Sequence, residues 1–424
     1  MTGKNRRNGL AGYLARLGPG LITGAADDDP SGIGTYSIAG AQFGFTCLWT
    51  AWFSFPLMAA VQLICARVGM VSGRGLSSLL RERFGPRVLW PVCTLLALAN
   101  VFNIGADLAA MAASSAMVTG IPAQFFTPFY AGVMLLLMAY ASYRRISRIF
   151  KWMTLVLFAY IIDAFLARPD WHAVLQATLL PHLPLTGSSI ATFVALMGTT
   201  ISPYLFFWQA NQQVEEDVAH GKTTLAQRQG ASEQEKSDSR LDVLTGAFYS
   251  NLIMYFIILT TGATLNLHGQ THIATTSQAA EALRPLAGKG AYLIFTLGII
   301  GTGMLSIPVL AGSTAYAIAE AARWRDSLKY PPRKAPHFYL FLAAAFLIGL
   351  ALNYAGFGVV NMLFWSAVIN GVLAAPLIVL IVLMASDPVI MGKHVNSLGL
   401  RVLGWTAAGV MSVASVAMFW TLGA

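Results

Sequence analysis

The chain has 424 residues, of which 56% are hydrophobic and 11% charged, and its mean hydropathy is +0.63. A soluble domain carries roughly 25% charged residues, so this composition excludes one and specifies a polytopic membrane protein lying in a lipid bilayer. The net charge of +9 does not mark a nucleic-acid-binding face, because the basic residues fall in short clusters between apolar spans.

About twenty apolar residues are needed for a helix to cross a bilayer, and the sequence predicts about eleven such spans. Their limits are 14–42 (broken), 46–70, 88–115, 124–142, 149–167, 188–211 (broken), 241–265, 289–319, 337–354, 357–384 and 398–422. Basic clusters occur at Lys4/Arg6/Arg7/Arg16, Arg67/Arg74/Arg81/Arg83/Arg87, Arg144/Arg145/Arg148/Lys151, Lys222/Arg228/Lys236/Arg240 and Arg323/Arg325/Lys329/Arg333/Lys334, with a weaker one at Lys393/Arg401. They fall on alternate loops, which predicts a cytoplasmic N-terminus and, with an odd number of spans, an external C-terminus. The basic start leads straight into the first span, with no cleavable signal peptide evident.

The first span carries the chemistry. Its core, 18–41, reads GPGLITGAADDDPSGIGTYSIAGA, with Asp27, Asp28 and Asp29 at its middle and Pro30 immediately after. A carboxylate at bilayer depth costs at least ~2.5 kcal/mol on insertion scales and is a functional-site candidate by default. Proline removes a backbone donor and disfavours helix at the preceding residue, so the helix is expected to come apart at Asp29. The freed carbonyls and the acids, at the negative end of the first half-helix, then call for a cation. Successive acids lie about 100° apart around a helix, so Asp27, Asp28 and Asp29 cannot all face one point.

The sixth span is interrupted in the same way: LMGTTISPYLFFWQANQ (196–212) places Ser202 before Pro203 as Asp29 stands before Pro30. Two broken spans, first and sixth, suggest two five-helix halves of inverted topology with a site at mid-membrane where they meet. The expected fold is therefore an all-α 5+5 inverted repeat in a single transmembrane domain. Its first repeat runs over about 14–167 and its second over about 188–384, followed by an extra helix at about 398–422. Between the halves, 214–240 is the one long polar linker, expected to mix a short surface helix with disorder.

Other features carry less. Cys47, Cys65 and Cys93 all lie in apolar stretches at no metal spacing, so neither a disulfide framework nor a zinc site is expected. His268 and His272 are four apart but lie in a polar outer loop, and a metal role is disfavoured. GIIGTG (298–303) is followed by no lysine and lies within an apolar span, so it reads as close helix packing rather than a phosphate loop. No nucleophile–base signature or HExxH appears, and neither an enzyme nor a cofactor is expected.

The first span resembles that of the Nramp metal-ion transporters, in which a GPG, an Asp-Pro-Gly-Asn break, a Thr and an AGA follow in order. Here these are Gly18-Pro19-Gly20, Asp29-Pro30-Ser31-Gly32, Thr35 and Ala39-Gly40-Ala41. ICARVGMVSGRGLSSLLRERFG (64–85) is similar to the family's segment after helix two, and Gly105-Ala106-Asp107-Leu108 to its ATDL stretch in helix three. SEQEKSDSRLD (232–242) and MASDPVIMGKHVN (384–396) resemble runs before helix seven and after helix ten. The resemblance implies a LeuT-like broken-helix fold, alternating access and a divalent-cation substrate.

The departures are informative. In the family an Asp and an Asn of helix one, and a Met sulfur and a nearby carbonyl of helix six, hold the ion. Here Asp29 keeps the acid, Gly32 stands for the Asn, Ser202 for the Met, and Thr199 lies near the expected carbonyl donor. Tyr204 replaces a His, and Ala110 falls where helix three carries an acid, although Asp107 is retained. Asn370, about one residue off the family's Gln, is a candidate outer-shell oxygen, and Asp28 a candidate for holding the hydration shell or lining the entrance. Thioether sulfur favours softer metals, and oxygen and water favour Mg²⁺, Ca²⁺ and Mn²⁺. Losing sulfur hardens the site, and Gly32 is expected to open space for a partly hydrated Mg²⁺. The pattern resembles the Nramp-related magnesium transporters, with Mn²⁺ also carried.

The family's proton-linked His and acid are absent, and a tyrosine of pKa near 10 is a poor relay, so uptake driven by membrane potential without protons is expected. The alternatives are a proton-coupled Mn²⁺ transporter, an organic-solute carrier on the same fold, and a membrane cation sensor or scaffold without transport. The sequence leaves the oligomeric state open, a monomer being compatible with it.

Overall fold

The computed structural model describes residues 18–140, 153–325, 327–328 and 330–423. Among them the fold is all-helical. The first span is two half-helices, α1a (Pro19–Asp27) and α1b (Pro30–Phe43). There follow α2 (Trp49–Ser72), α3 (Pro86–Thr119), α4 (Ala123–Tyr140) and α5 (Phe158–Leu166, entered through a 3-10 turn at Met153–Leu157). The sixth span is α6a (Gly187–Thr200) and α6b (Pro203–Ala219). The rest are α7 (Glu233–Thr264), α8 (Ala291–Ala322), α9 (Pro336–Leu352), α10 (Val359–Ala385) and α11 (Leu398–Gly423). Each expected span has its helix. The starts of the first and fifth spans, the basic clusters at 4–16 and 144–151, and Lys329 lie outside the described residues.

Both breaks are made by the same local chemistry. Each second half-helix starts on a proline in its first turn, where the missing N–H costs nothing. The residues before them, Asp29 and Ser202, are extended, with ψ of 170° and 128°. The halves pair crosswise, α1a against α6b and α1b against α6a, which sets the two breaks opposite each other.

Close backbone approach holds the first span in place. A Cβ on Gly24 would meet the Gly246 carbonyl carbon at 2.3 Å, so α1a and α7 touch backbone to backbone. The same argument joins α6a to α10, where a Cβ on Gly198 would lie 2.1 Å from the Ala367 carbonyl oxygen. The apolar core of α6 is wholly buried and that of α4 only 28% buried, which makes α6 central and α4 peripheral. Exposed Leu98, Phe125, Leu136, Val413 and Trp420 form part of the apolar outer surface that a bilayer covers.

The polar connector between α6 and α7 is ordered, contrary to the expected disorder. It contains a helical turn at Leu225–Arg228, and α7 begins at Glu233, eight residues before the expected 241. A Ser232/Glu235 capping box starts α7 early. Lys222 Nζ bonds both Asp217 and Glu235 at 2.8 Å, and the Gly230 N–H bonds the Val71 carbonyl at 2.8 Å. The basic loops meet at this end of the bundle: Arg67 donates to Asn396 and the His394 carbonyl, Arg83 pairs with Asp387, and Arg81 donates to the Ala321 carbonyl. GIIGTG lies within α8, where Gly303 backs onto Met111 and Pro30, as expected of a packing motif. The three cysteines are free and buried. His268 bonds the Thr264 carbonyl at 2.8 Å in its exposed loop.

Candidate metal site at the facing helix breaks

The three acids do not share one environment. Asp27 ends α1a, Asp28 caps it, and Asp29 is the N-cap of α1b. Asp29 Oδ1 accepts from the Gly32 N–H at 2.6 Å and the Ser31 hydroxyl at 2.7 Å, and Oδ2 accepts from Asn103 Nδ2 at 3.0 Å. This corrects the expectation that all three carboxyls sit at the negative end of the first half-helix. Asp29 lies on the positive end of α1b, where free N–H groups and the helix dipole favour a carboxylate. Asp27 and Asp28 turn instead to α7, where the Ser250 hydroxyl lies 2.6 Å from Asp27 Oδ2 and 3.3 Å from Asp28 Oδ1.

Gly32 opens no space. A Cβ there would meet the Asp27 carbonyl oxygen at 3.3 Å and Asp29 Oδ1 at 3.4 Å, so the position is already closely walled. Asp107, on α3, has no basic partner among the described residues. It accepts from the Ser306 hydroxyl at 3.2 Å, and the Ser31 backbone N–H is within reach of both its carboxyl and that of Asp29.

At the second break, Ser202 donates back to the carbonyls of Gly198 and Thr199 at 2.8 and 2.7 Å, closing the unwound end of α6a. The Thr199 hydroxyl is itself turned to the Leu196 carbonyl at 3.0 Å. Tyr204 joins the two spans: its hydroxyl donates to the Ala26 carbonyl, 3.1 Å away, near the end of α1a. One turn further along each half-helix, Thr23 bonds Gln209 at 2.6 Å. Asn370 is buried on α10, which packs against α6a and α1b, and its Oδ1 has no hydrogen-bond partner.

Asp29, Gly32 and Asp107 thus gather against α3, Asp28 against α7, and Thr199, Ser202 and Tyr204 at the facing break. No hydrogen bond among the described residues joins Asn370 or Ser202 to Asp29. Nor does any group of three His, Cys, Asp or Glu side chains converge there to hold a metal. The sequence reading missed Asn103 and Ser250. A signal for the first was present: Asn100, Asn103 and Asp107 form a polar stripe at i, i+3 and i+7 on a 34-residue apolar helix.

Two facing helix breaks, the first carrying buried acids, in a helical membrane bundle define a transporter with discontinuous helices around a central site. A family model described as "Natural resistance-associated macrophage protein-like" matches residues 20–421. The chain belongs to the Nramp family of divalent metal transporters. A relative named divalent metal cation transporter MntH, from Verminephrobacter eiseniae, is 27% identical over 72% of this chain and 68% of its own length. A protein of the same name from Erwinia tasmaniensis is 25% identical over 70% of each chain. In fold, the chain is similar to an Eremococcus coleocola manganese transporter, with a TM-score of 0.78 at 17% identity over 98% of this chain and 88% of that one. MhsT, solved with L-phenylalanine, matches at a TM-score of 0.58 and 11% identity over 99% of this chain and 100% of its own.

Proposed function

We infer that this chain moves hard divalent cations by alternating access, Mg²⁺ first with Mn²⁺ also accepted, driven by membrane potential and without a coupled proton. The observation that carries this reading is the chemistry of the second break. Its polar groups are the hydroxyl of Ser202, the carbonyls of Gly198 and Thr199 and the phenol of Tyr204, all of them oxygens. Oxygen-only donors favour Mg²⁺ and Mn²⁺ over softer ions. The thioether of Met111, on α3, packs against Gly303 of α8.

In this reading Asp29 is the anionic ligand, direct or through water, positioned by Asn103 and by the N–H of Gly32. Ser202 and the Thr199 carbonyl face it from α6, Asp28 holds the hydration shell, Asp107 lines the path, and Asn370 supplies an outer-shell oxygen. Tyr204 spends its proton on the Ala26 carbonyl, which supports a bridging role over a relay. The basic end of the bundle is assigned to the cytoplasm, with the C-terminus outside.

The rival reading, a proton-coupled Mn²⁺ transporter, draws on the manganese and divalent-metal names of the relatives and on the retained Asp107. Uptake by purified protein in proteoliposomes decides between them, with Mg²⁺, Mn²⁺ and Ca²⁺ in competition under separately imposed voltage and pH gradients. Expected are saturable Mg²⁺ entry that follows voltage and a lumenal pH that stays constant. Lumenal acidification in step with metal entry overturns the uncoupled reading, and entry of Cd²⁺ but not Mg²⁺ overturns the hard-ion reading.

A further inference from the structure

We propose that the basic end of the bundle carries a site for the phosphate headgroup of an anionic phospholipid. Its residues are Arg67 of α2, Lys236 of α7, His394 and Asn396 of the loop after α10, and Arg401 of α11. The inference goes beyond the transport reading above and uses none of its residues.

An outlying apolar cluster sets the place. Leu63 and Ala66 of α2 and Val243 of α7 are buried together apart from the main core, with Leu400 of α11 packed against them. Arg67 stands one turn beyond Leu63, Lys236 two turns before Val243, and Arg401 directly after Leu400, so the charges rim the cluster where the three helices meet. On α11, Leu398, Val402 and Trp405 are exposed at i, i+4 and i+7, an apolar stripe for acyl chains, and Arg401 is exposed among them. A tryptophan on such a stripe belongs at the level of the headgroups.

The polar groups are fixed in place with donors to spare. Arg67 spends Nε on Asn396 Oδ1 at 3.0 Å and Nη2 on the His394 carbonyl at 2.9 Å. Asn396 is 5% exposed, and with its oxygen so engaged its Nδ2 is left buried without a hydrogen-bond partner. That orphan donor is an independent sign of a ligand, because a buried N–H left unmade is costly. Lys236, with 13% of its side chain exposed, lies 3.1 Å from His394 Nδ1. An ammonium can only donate, so Nδ1 accepts and the ring proton sits on Nε2 as a further donor. Partial burial and the neighbouring Lys236, Lys393 and Arg67 hold the His394 ring below its ordinary pKa, which places three cations around it. Among the described residues, the one acid acting on both Arg67 and His394 is Glu233, which is exposed and already bonds Lys236. The group is thus net positive, rich in donors and set beside an apolar helix face, which suits a phosphate that carries acyl chains.

The test is native mass spectrometry of the full chain in neutral detergent, with thermal unfolding to verify that each variant folds. Dioleoyl phosphatidylglycerol is titrated alone, against dioleoyl phosphatidylcholine and against inorganic phosphate. Expected is one saturable phosphatidylglycerol that neither competitor displaces. Lys236→Gln and Arg401→Gln should each weaken it about fivefold, the effect of one basic side chain at an anionic lipid surface. Asn396→Asp keeps an acceptor for Arg67 but puts a charged oxygen in place of the free donor, and should cost about 10- to 100-fold. Lys334→Gln, which removes an exposed charge from the loop between α8 and α9, should leave the affinity unchanged. Retention indifferent to residues 236, 396 and 401, or lowered as much by Lys334→Gln, overturns the proposal. Equal retention of phosphatidylcholine overturns it too, and displacement by inorganic phosphate overturns it in favour of a soluble anion. If Asn396→Asp impairs folding, Lys236→Gln and Arg401→Gln decide alone. These outcomes are independent of transport: absence of Mg²⁺ flux through the wild type defeats the transport reading and leaves this one standing.

Discussion

At the residue scale, the site's logic is one of assigned hydrogen bonds. Asp29 is satisfied on one side by its own helix N-terminus and on the other by Asn103. Asn103→Leu leaves the carboxyl without its α3 donor, and loss of a hydrogen bond that orients a metal ligand costs about 10- to 100-fold in affinity. The apparent KM for Mg²⁺ in proteoliposomes should rise accordingly, while Asp29→Ala should abolish flux. An unchanged KM in Asn103→Leu would remove Asn103 from the site. Ser202→Met places a soft sulfur at the end of α6a, so Cd²⁺ should compete with Mg²⁺ uptake in this variant and hardly at all in the wild type.

At the element scale, the geometry of the first span rests on α7. Asp242 accepts from the N–H groups of Gly18, Gly20 and Leu21 at 2.8, 2.5 and 2.9 Å, anchoring the start of α1a. Hydrogen bonds to a charged acceptor contribute about 1.5–3 kcal/mol each, so Asp242→Ala should lower the thermal unfolding midpoint more than Asp242→Asn, which keeps one acceptor oxygen. Equal midpoints for wild type and both variants would falsify the anchor. The connector before α7 responds to pH instead. Burial pushes Glu235 up, but the Lys222 and Ser232 bonds outweigh it and hold its carboxyl at about 2 against an ordinary 4.5. A depressed carboxylate stabilises the fold above its unfolded pKa and loses that contribution as pH falls through the folded one. Pepsin should therefore cut the connector faster at about pH 2 than at about pH 4.5, beyond the enzyme's own pH dependence measured on an unfolded control. In Glu235→Gln the excess should vanish.

At the scale of the whole molecule, charge and topology decide what drives transport. A divalent ion gains ~4.6 kcal/mol per 100 mV of membrane potential, at ~2.3 for each charge. At 1.4 kcal/mol per tenfold this amounts to accumulation of roughly a few thousandfold with no second ion. A valinomycin-imposed potential, negative inside, should thus raise Mg²⁺ uptake steeply at equal pH on both sides. Uptake indifferent to voltage would require another driving ion.

Much of the fold could be read directly from the chain. Length, apolar runs and the two proline breaks are local properties, and a bilayer forces every such run into a helix whose backbone bonds are internal. Asp29 and Ser202 were legible because each is a polar residue standing directly before a proline in an apolar span. Proline alone does not break a span, since Pro56, Pro91, Pro128, Pro308 and Pro376 lie inside continuous helices. The direction each side chain takes was not. Asn103 and Ser250 meet the acids only because α3 and α7 pack where small residues let them, and that is a relation between residues 74 and more than 200 positions apart. The space expected at Gly32 is taken up by the Asp27 carbonyl and Asp29 Oδ1, whose positions follow from the way the break itself is folded. The division of the acids between α3 and α7 follows from the same long-range packing, so it was settled by tertiary structure alone.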